Sequence, residues 1–204
     1  MRSIAAPHTR SFPQPTAFFA LYPPRGIAGL IDRMFTAGEL AGSLIQRERR
    51  HISLNNLGGD PPYTSSFIAR ACDAASQVRA PPFVVALNQV ISFQTRTPAK
   101  PRVLIGEDGV IGVLMLHHAI HEVLANEGLA RGRERNITPH LTLSWEEGSG
   151  PRKVIEPVRW RVSEFHLILS VPGVGHEVLG CWPLRDDASF VTAEATESTY
   201  APGR

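Results

Sequence analysis

One short pattern is written twice in this chain: His51-Ile52-Ser53-Leu54 and, far downstream, His140-Leu141-Thr142-Leu143. In both, an imidazole and a hydroxyl stand two residues apart, with aliphatic residues between and after them. On an extended strand, side chains i and i+2 share a face and lie about 6–7 Å apart. His51 and Ser53 therefore look one way and Ile52 and Leu54 the other, and the second copy repeats this. Both segments are committed to strands with one apolar face, which must be covered by other elements. If the fold sets these strands side by side, two imidazoles and two hydroxyls meet in one small volume.

The surrounding sequence supplies similar neighbours for each copy. Residues 17–22 (AFFALY) read as a buried strand, ended by Pro23-Pro24, and Pro24 suits the first turn of a helix. Ile27, Leu30, Ile31, Met34 and Phe35 follow at helical spacing, and Leu40, Leu44 and Ile45 continue the pattern after a glycine break. Residues 64–78 predict a second amphipathic helix opened by Thr64-Ser65-Ser66. Two β-rich runs, FVVALNQVISFQT and RVLIGE, precede a third helix over 111–127 that Gly128 stops. After the His140 strand come EPVRWRVSEFHLILSV and HEVLGCWPL, parted at Pro172-Gly173.

Strands joined by short loops favour antiparallel pairing. The expected fold class is α+β: two pseudo-symmetric lobes, each an antiparallel sheet with helices on the outside, around a central groove. Residues 1–16 read as a flexible tail, 17–185 as a single bilobal domain, and 186–204 as a polar tail. At 43% hydrophobic and 20% charged, the chain has the composition of a globular domain with a sizeable core. A net charge of +2 neither demands nor excludes a polyanionic partner, so any anion site must come from local arrangement. The two cysteines form no metal or disulfide pattern, which favours a reducing compartment. No run is long enough to span a membrane, and the first residues lack the apolar core of a secretory signal. The expectation is a cytoplasmic monomer without a membrane partner.

Two imidazoles and two hydroxyls around one volume suit in-line displacement at phosphorus. A neutral His takes a proton from the attacking oxygen, a protonated His gives one to the leaving oxygen, and the hydroxyls hold the phosphoryl oxygens. The scheme needs neither metal nor cofactor. Other features are weighed beside it. Arg47, Arg49 and Arg50 precede one His strand and Arg131, Arg133 and Arg135 the other, placed to draw in a polyanion or to form solvated loops. His117 and His121 stand at i and i+4, a zinc-compatible spacing with no third ligand, so a solvated helix face is the better reading. Phe19 and Leu21 alternate on the first strand, as groove floor or as plain core. GEDGVIG is glycine-spaced without the Lys-Ser/Thr of a P-loop and reads as a hairpin or helix entry.

HISLNNLG and TPHLTL, with FFALYPP before them, APPFVVALNQVISF between them and EFHLILSVPGVGHEVLGCWPL after them, resemble the 2H phosphoesterase superfamily. Within it they are similar to the RNA 2',3'-cyclic phosphodiesterases, also called 2'-5' RNA ligases, over about residues 16–185. The resemblance implies a bilobal fold and metal-independent action on a cyclic phosphate of an RNA end or nucleotide. It implies His51 and His140 as the catalytic pair and Ser53 and Thr142 as phosphate-binding hydroxyls. It further implies that His140 activates water and His51 protonates the leaving ribose oxygen, giving a 2'-phosphate. Members of that branch commonly carry Phe five positions after the first His and often Arg five after the second; here Asn56 and Trp145 stand there. Trp145 offers a stacking surface in place of a charge clamp. Phe19, Asn56, Arg135 and Trp145 are the candidate substrate contacts. Two alternatives stay open: a nucleotide-binding groove without turnover, and the same chemistry on a cyclic phosphate that is not RNA.

Overall fold

The structure is a computed structural model that describes residues 14–185 except 39, 41, 42, 59–61 and 97. The expected tail over 186–204 and most of that over 1–16 lie outside the described residues. Eight strands form one antiparallel sheet: β1 (Thr16–Leu21), β2 (Ile52–Asn56), β3 (Phe83–Ser92), β4 (Ala99–Ile105), β5 (His140–Glu147), β6 (Lys153–Val162), β7 (Glu164–Val171) and β8 (Gly175–Pro183). The spatial order is β6-β3-β4-β5-β2-β1-β7-β8. Its middle is its weakest seam, because β2 and β5 pair only at Ile52 and Leu141. Two four-stranded halves result, each ending in one of the His strands. This is the expected α+β, two-lobed architecture.

The helices are α1 (Arg25–Thr36), α2 (Ser65–Ser76) and α3 (Ile111–Asn126). Each buries one stripe: Ala28, Ile31 and Met34 on α1, with Ile27, Leu30 and Phe35 only partly buried, Ala71, Ala74 and Ala75 on α2, and Val113, Leu116, Ile120 and Leu124 on α3. Thr64 caps α2 through its side chain, accepting the Phe67 N–H at 3.1 Å. All these stripes join one core with Phe19, Leu21, Ile52, Leu54, Leu141 and Leu143 from one face of the sheet. The other face carries a separate small cluster of Phe18, Ala20 and Ile168, with Tyr22 packed against it.

One expectation changes, and an open one is decided. Leu40, Leu44 and Ile45 do not continue α1. Instead Leu44 bridges to Ser144 and the Ile45 N–H donates to the Leu143 carbonyl at 2.8 Å, so this segment lines the outer edge of β5. The glycines of GEDGVIG form the entry to α3 through a 3-10 turn at Asp108–Val110. A Cβ at Gly106 or Gly109 would lie 2.2 or 2.5 Å from the Ala86 carbonyl oxygen, so the spacing serves close backbone approach to β3.

Candidate active site

Both His strands carry the same irregularity. Opposite β1, the register slips between Phe18 and Ala20, so Leu54 and Asn55 together oppose Phe19. Opposite β4, it slips between Arg102 and Val103, leaving Leu143 as the extra residue. The bulges fall at matching positions, three to four residues after each His, and both strands show paired buried residues there. Strict alternation would turn the fifth residue after each His toward the core. The bulges return Asn56 and Trp145 to solvent instead, and both are exposed.

Carrying the Ile52–Leu141 register one residue each way sets His51 opposite Thr142 and Ser53 opposite His140. Ile52 and Leu141 are wholly buried on the core side, which turns the four polar side chains to the open side. The two imidazoles are held alike. His51 Nδ1 lies 2.9 Å from the Arg49 carbonyl and His140 Nδ1 2.7 Å from the Thr138 carbonyl, in each case two residues upstream. A carbonyl can only accept, so Nδ1 carries the hydrogen and Nε2 presents its lone pair. Ser53 Oγ lies 3.1 Å from His51 Nε2 and donates to it.

A cleft of about 200 Å³ is lined by Ile45, Arg49, His51, Thr142, Trp145 and His176. His51 packs against Phe18, with ring centroids 5.1 Å apart, and meets His176 edge-on at 5.1 Å. Tyr22 stands 6.0 Å from His51 and its hydroxyl 3.4 Å from His176 Nδ1. His140 packs against Phe93 at 4.7 Å. Burial, and after it the His176 imidazole, pushes His51 down to about 4, with smaller pressure from His140 and Arg49. Burial also lowers His140, partly offset by its bond to Thr138, and lowers His166 and His176.

These depressed histidines bind fewer protons folded than unfolded. Their contribution to stability is present above the ordinary value of 6.5 and is lost as pH falls toward the lowered values. Melting temperature should therefore drop between about pH 6.5 and 4. Inorganic phosphate, by stabilising charged imidazoles in the cleft, should recover part of the loss. A melting temperature flat across that range, with and without phosphate, would contradict this.

Comparisons with known proteins identify the family and the fold. Residues 23–171 match the family model described as the 2'-5' RNA ligase superfamily. The chain belongs to that superfamily. Among solved structures, it is similar to Escherichia coli LigT in apo form and to LigT complexed with 3'-AMP. In each case identity is 22%, 84% of this chain and 99% of the other are covered, and the TM-score is 0.65. TT0787 of Thermus thermophilus is 18% identical over 84% of this chain and 99% of its own, with a TM-score of 0.63. No curated protein matches the sequence.

Within this 2'-5' RNA ligase superfamily member, the expected site residues divide. His51, Thr142 and Trp145 line the cleft, and Ser53 and His140 flank it across the β2–β5 seam. Phe19 does not contribute: it is fully buried against Phe165 and Trp182. A strand reading AFFALY is apolar on both faces, so alternation alone does not tell which ring faces the groove; the β1–β2 pairing selects Phe18. Asn56 and Arg135 line a different cavity. The first arginine cluster also divides. Arg47 pairs with Asp32 on the surface, Arg50 is buried, and Arg49 alone reaches the cleft. His176 and Tyr22 have no local sequence signal, because they arrive from β8 and the end of β1 through long-range pairing. His117 and His121 have no third ligand beside them among the described residues.

Proposed function

We propose that this chain hydrolyses ribose 2',3'-cyclic phosphates, at RNA ends or on nucleotides, to 2'-phosphates. The observation that carries this is the pair of imidazoles on adjoining strands, each with Nδ1–H fixed on a backbone carbonyl two residues upstream so that Nε2 presents its lone pair. In this reading a water oxygen attacks phosphorus while its proton passes to one Nε2. The phosphorus–O3' bond breaks, and O3' takes a proton from the other Nε2. Ser53 and Thr142 donate to the phosphoryl oxygens, Arg49 offsets their charge, and Trp145 offers a face to a base. An RNA 5'-hydroxyl in place of water would give a 2'-5' linkage.

We assign His51 as base and His140 as acid; burial lowers both rings, and His51 is the one pressed down to about 4. The group held down to about 4 is neutral near pH 7 and ready to accept. This reverses the division that the family resemblance implies, and matching suspension of the two rings makes such exchange easy. Every step uses protein side chains and water. The reading places the protein in the cytoplasm as a monomer, where its free thiols at Cys72 and Cys181 stay reduced. No helix among the described residues is long and apolar enough to cross a membrane.

Product analysis tests the proposal. An RNA ending in 2',3'-cyclic phosphate, incubated with the protein in EDTA, should yield a terminal 2'-phosphate. A 3'-phosphate product would overturn the assignment of the leaving oxygen. A second reading, nucleotide binding without turnover, draws on the exposed Trp145 in the cleft. It would replace the first if AMP bound by calorimetry while RNA and mononucleotide cyclic phosphates both stayed intact. Turnover of mononucleotides alone would move the substrate class away from RNA.

A further inference from the structure

We propose that a second cavity, distinct from the histidine cleft, holds a nucleotide, either free or as a residue of the RNA strand leading to the cyclic phosphate. Its volume is about 370 Å³, larger than the cleft, and the two share no lining residue. That volume lies within the roughly 300–1,000 Å³ of small-molecule sites.

The cavity exists because β2 is held at two points with a gap between. Ile52 pairs with Leu141, and Leu57 bridges to Ala130, where Gly58 N–H donates to the Leu129 carbonyl at 2.7 Å. Between these attachments the edge of β2 at Asn55 and Asn56 faces the loop that runs from Ala130 to His140. Arg131, Arg133, Arg135 and Ile137 of that loop line the far wall, and His117, His121 and Leu124 of α3 complete it. Gly58 makes this closure feasible, since a Cβ there would lie 2.9 Å from the carbonyl oxygens of Leu129 and Ala130.

The lining has the chemistry of a nucleotide site. Three exposed guanidiniums rim it, and none forms an ion pair among the described residues. Glu134, the one carboxylate in the loop, sits between His118 at 3.0 Å and the lining His117 at 3.9 Å and pairs with none of the three arginines. Leu54, Leu124 and Ile137 supply an apolar floor for a base. Two lining residues, both more than nine-tenths buried, carry acceptors without a partner: Asn55 Oδ1 and His117 Nδ1. The His117 tautomer is set by Nε2, which donates to the Arg135 carbonyl at 3.1 Å, so Nδ1 is an acceptor. Inorganic phosphate would satisfy only the arginines. A nucleotide brings phosphate for the rim together with a flat base for the apolar floor.

Position links the cavity to the cleft. Asn56 lies three residues beyond Ser53, and Ile137 three before His140, at the same end of the antiparallel seam. At about 3.3 Å per residue the cavity begins ~10 Å from Ser53 and His140, within reach of a neighbouring nucleotide of one strand. This strand-coupled form rests on the cyclic-phosphate reading; occupancy by a nucleotide does not.

The test compares the wild-type protein with the triple variant Arg131→Gln, Arg133→Gln, Arg135→Gln, which removes only exposed side chains. Calorimetric titration with AMP should give two sites on the wild type and one on the variant, and the double variant His51→Ala, His140→Ala should retain the second site. If RNA occupies it, the variant's ratio of kcat/KM for an RNA pentamer cyclic phosphate over a mononucleotide cyclic phosphate falls about tenfold or more. Loss of the AMP site with an unchanged ratio assigns a free nucleotide, and a fallen ratio assigns RNA. Unchanged AMP stoichiometry together with an unchanged ratio overturns the proposal. Should the wild type turn over no cyclic phosphate, the loss of one AMP site in the variant still upholds it while the proposed activity falls.

Discussion

Alanine at His51 or at His140 lowers kcat/KM for a 2',3'-cyclic phosphate by ~10²–10⁴-fold, the range of a lost general base or acid. Neither ring belongs to the main core beneath the helices, so the loss should appear in turnover with little change in folding. The two variants part company on a substrate whose leaving group needs no proton, such as a nitrophenyl phosphodiester. Removing the acid should then cost little, whereas removing the base should cost as much as before. With His51 as base, His140→Ala recovers on the nitrophenyl ester and His51→Ala does not. The opposite recovery would restore the division of roles that the family resemblance implies, and full activity of both variants would remove the catalytic proposal altogether. The pH profile adds a check. A base held near 4 puts the acidic limb of kcat/KM well below the ordinary histidine value of 6.5, and that limb should vanish in the variant lacking it.

Arg50→Met destabilises the fold by about 3 kcal/mol, the lower end for removing one partner of a buried pair. In a chain of this size that is a fall in melting temperature of about 6–12 °C. Arg50 is 3% exposed and ties three segments together. Its Nη1 lies 2.6 Å from Asp32 Oδ1 and 3.3 Å from the Ala28 carbonyl on α1, and its Nε donates to the Ile45 carbonyl at 3.0 Å. Burial alone would raise the Asp32 carboxyl, but hydrogen bonds and charge from Arg50 and Arg47 outweigh it and hold it below its ordinary value. The matched control is Arg47→Met. Its partner is the same carboxylate, but its side chain is 57% exposed, so the expected cost is about 0.5 kcal/mol. Equal losses in the two variants would show that burial does not set the difference. The residue beside His51 thus serves as a brace, one position from Arg49, which faces the cleft.

Local chemistry carries a large part of this protein and is legible without coordinates. The i, i+2 relation of His51 to Ser53 and of His140 to Thr142 follows from strand geometry alone. Ile31 and Met34 on α1 and Ala71, Ala74 and Ala75 on α2 follow from helical period, and the Thr64 cap from a hydroxyl placed before an apolar run. What alternation misses is any place where period 2 is broken. The paired bulges at Leu54-Asn55 and Leu143-Ser144 turn Asn56 and Trp145 outward, and they show only in the register against the partner strands. Phe18 rather than Phe19 faces the groove for the same reason: an all-apolar strand leaves its faces undecided until another strand pairs with it.

The chain by itself determined which groups would do the work, because each imidazole–hydroxyl pair is built within three consecutive residues and needs only an extended backbone. The tertiary structure alone decided who joins them and who does not. His176 and Tyr22 enter from other strands, Arg50 is withdrawn into a brace while Arg49 is left in the cleft, and the second arginine cluster is carried to another cavity. Those choices depend on pairings between segments far apart in the chain, where no local period reaches.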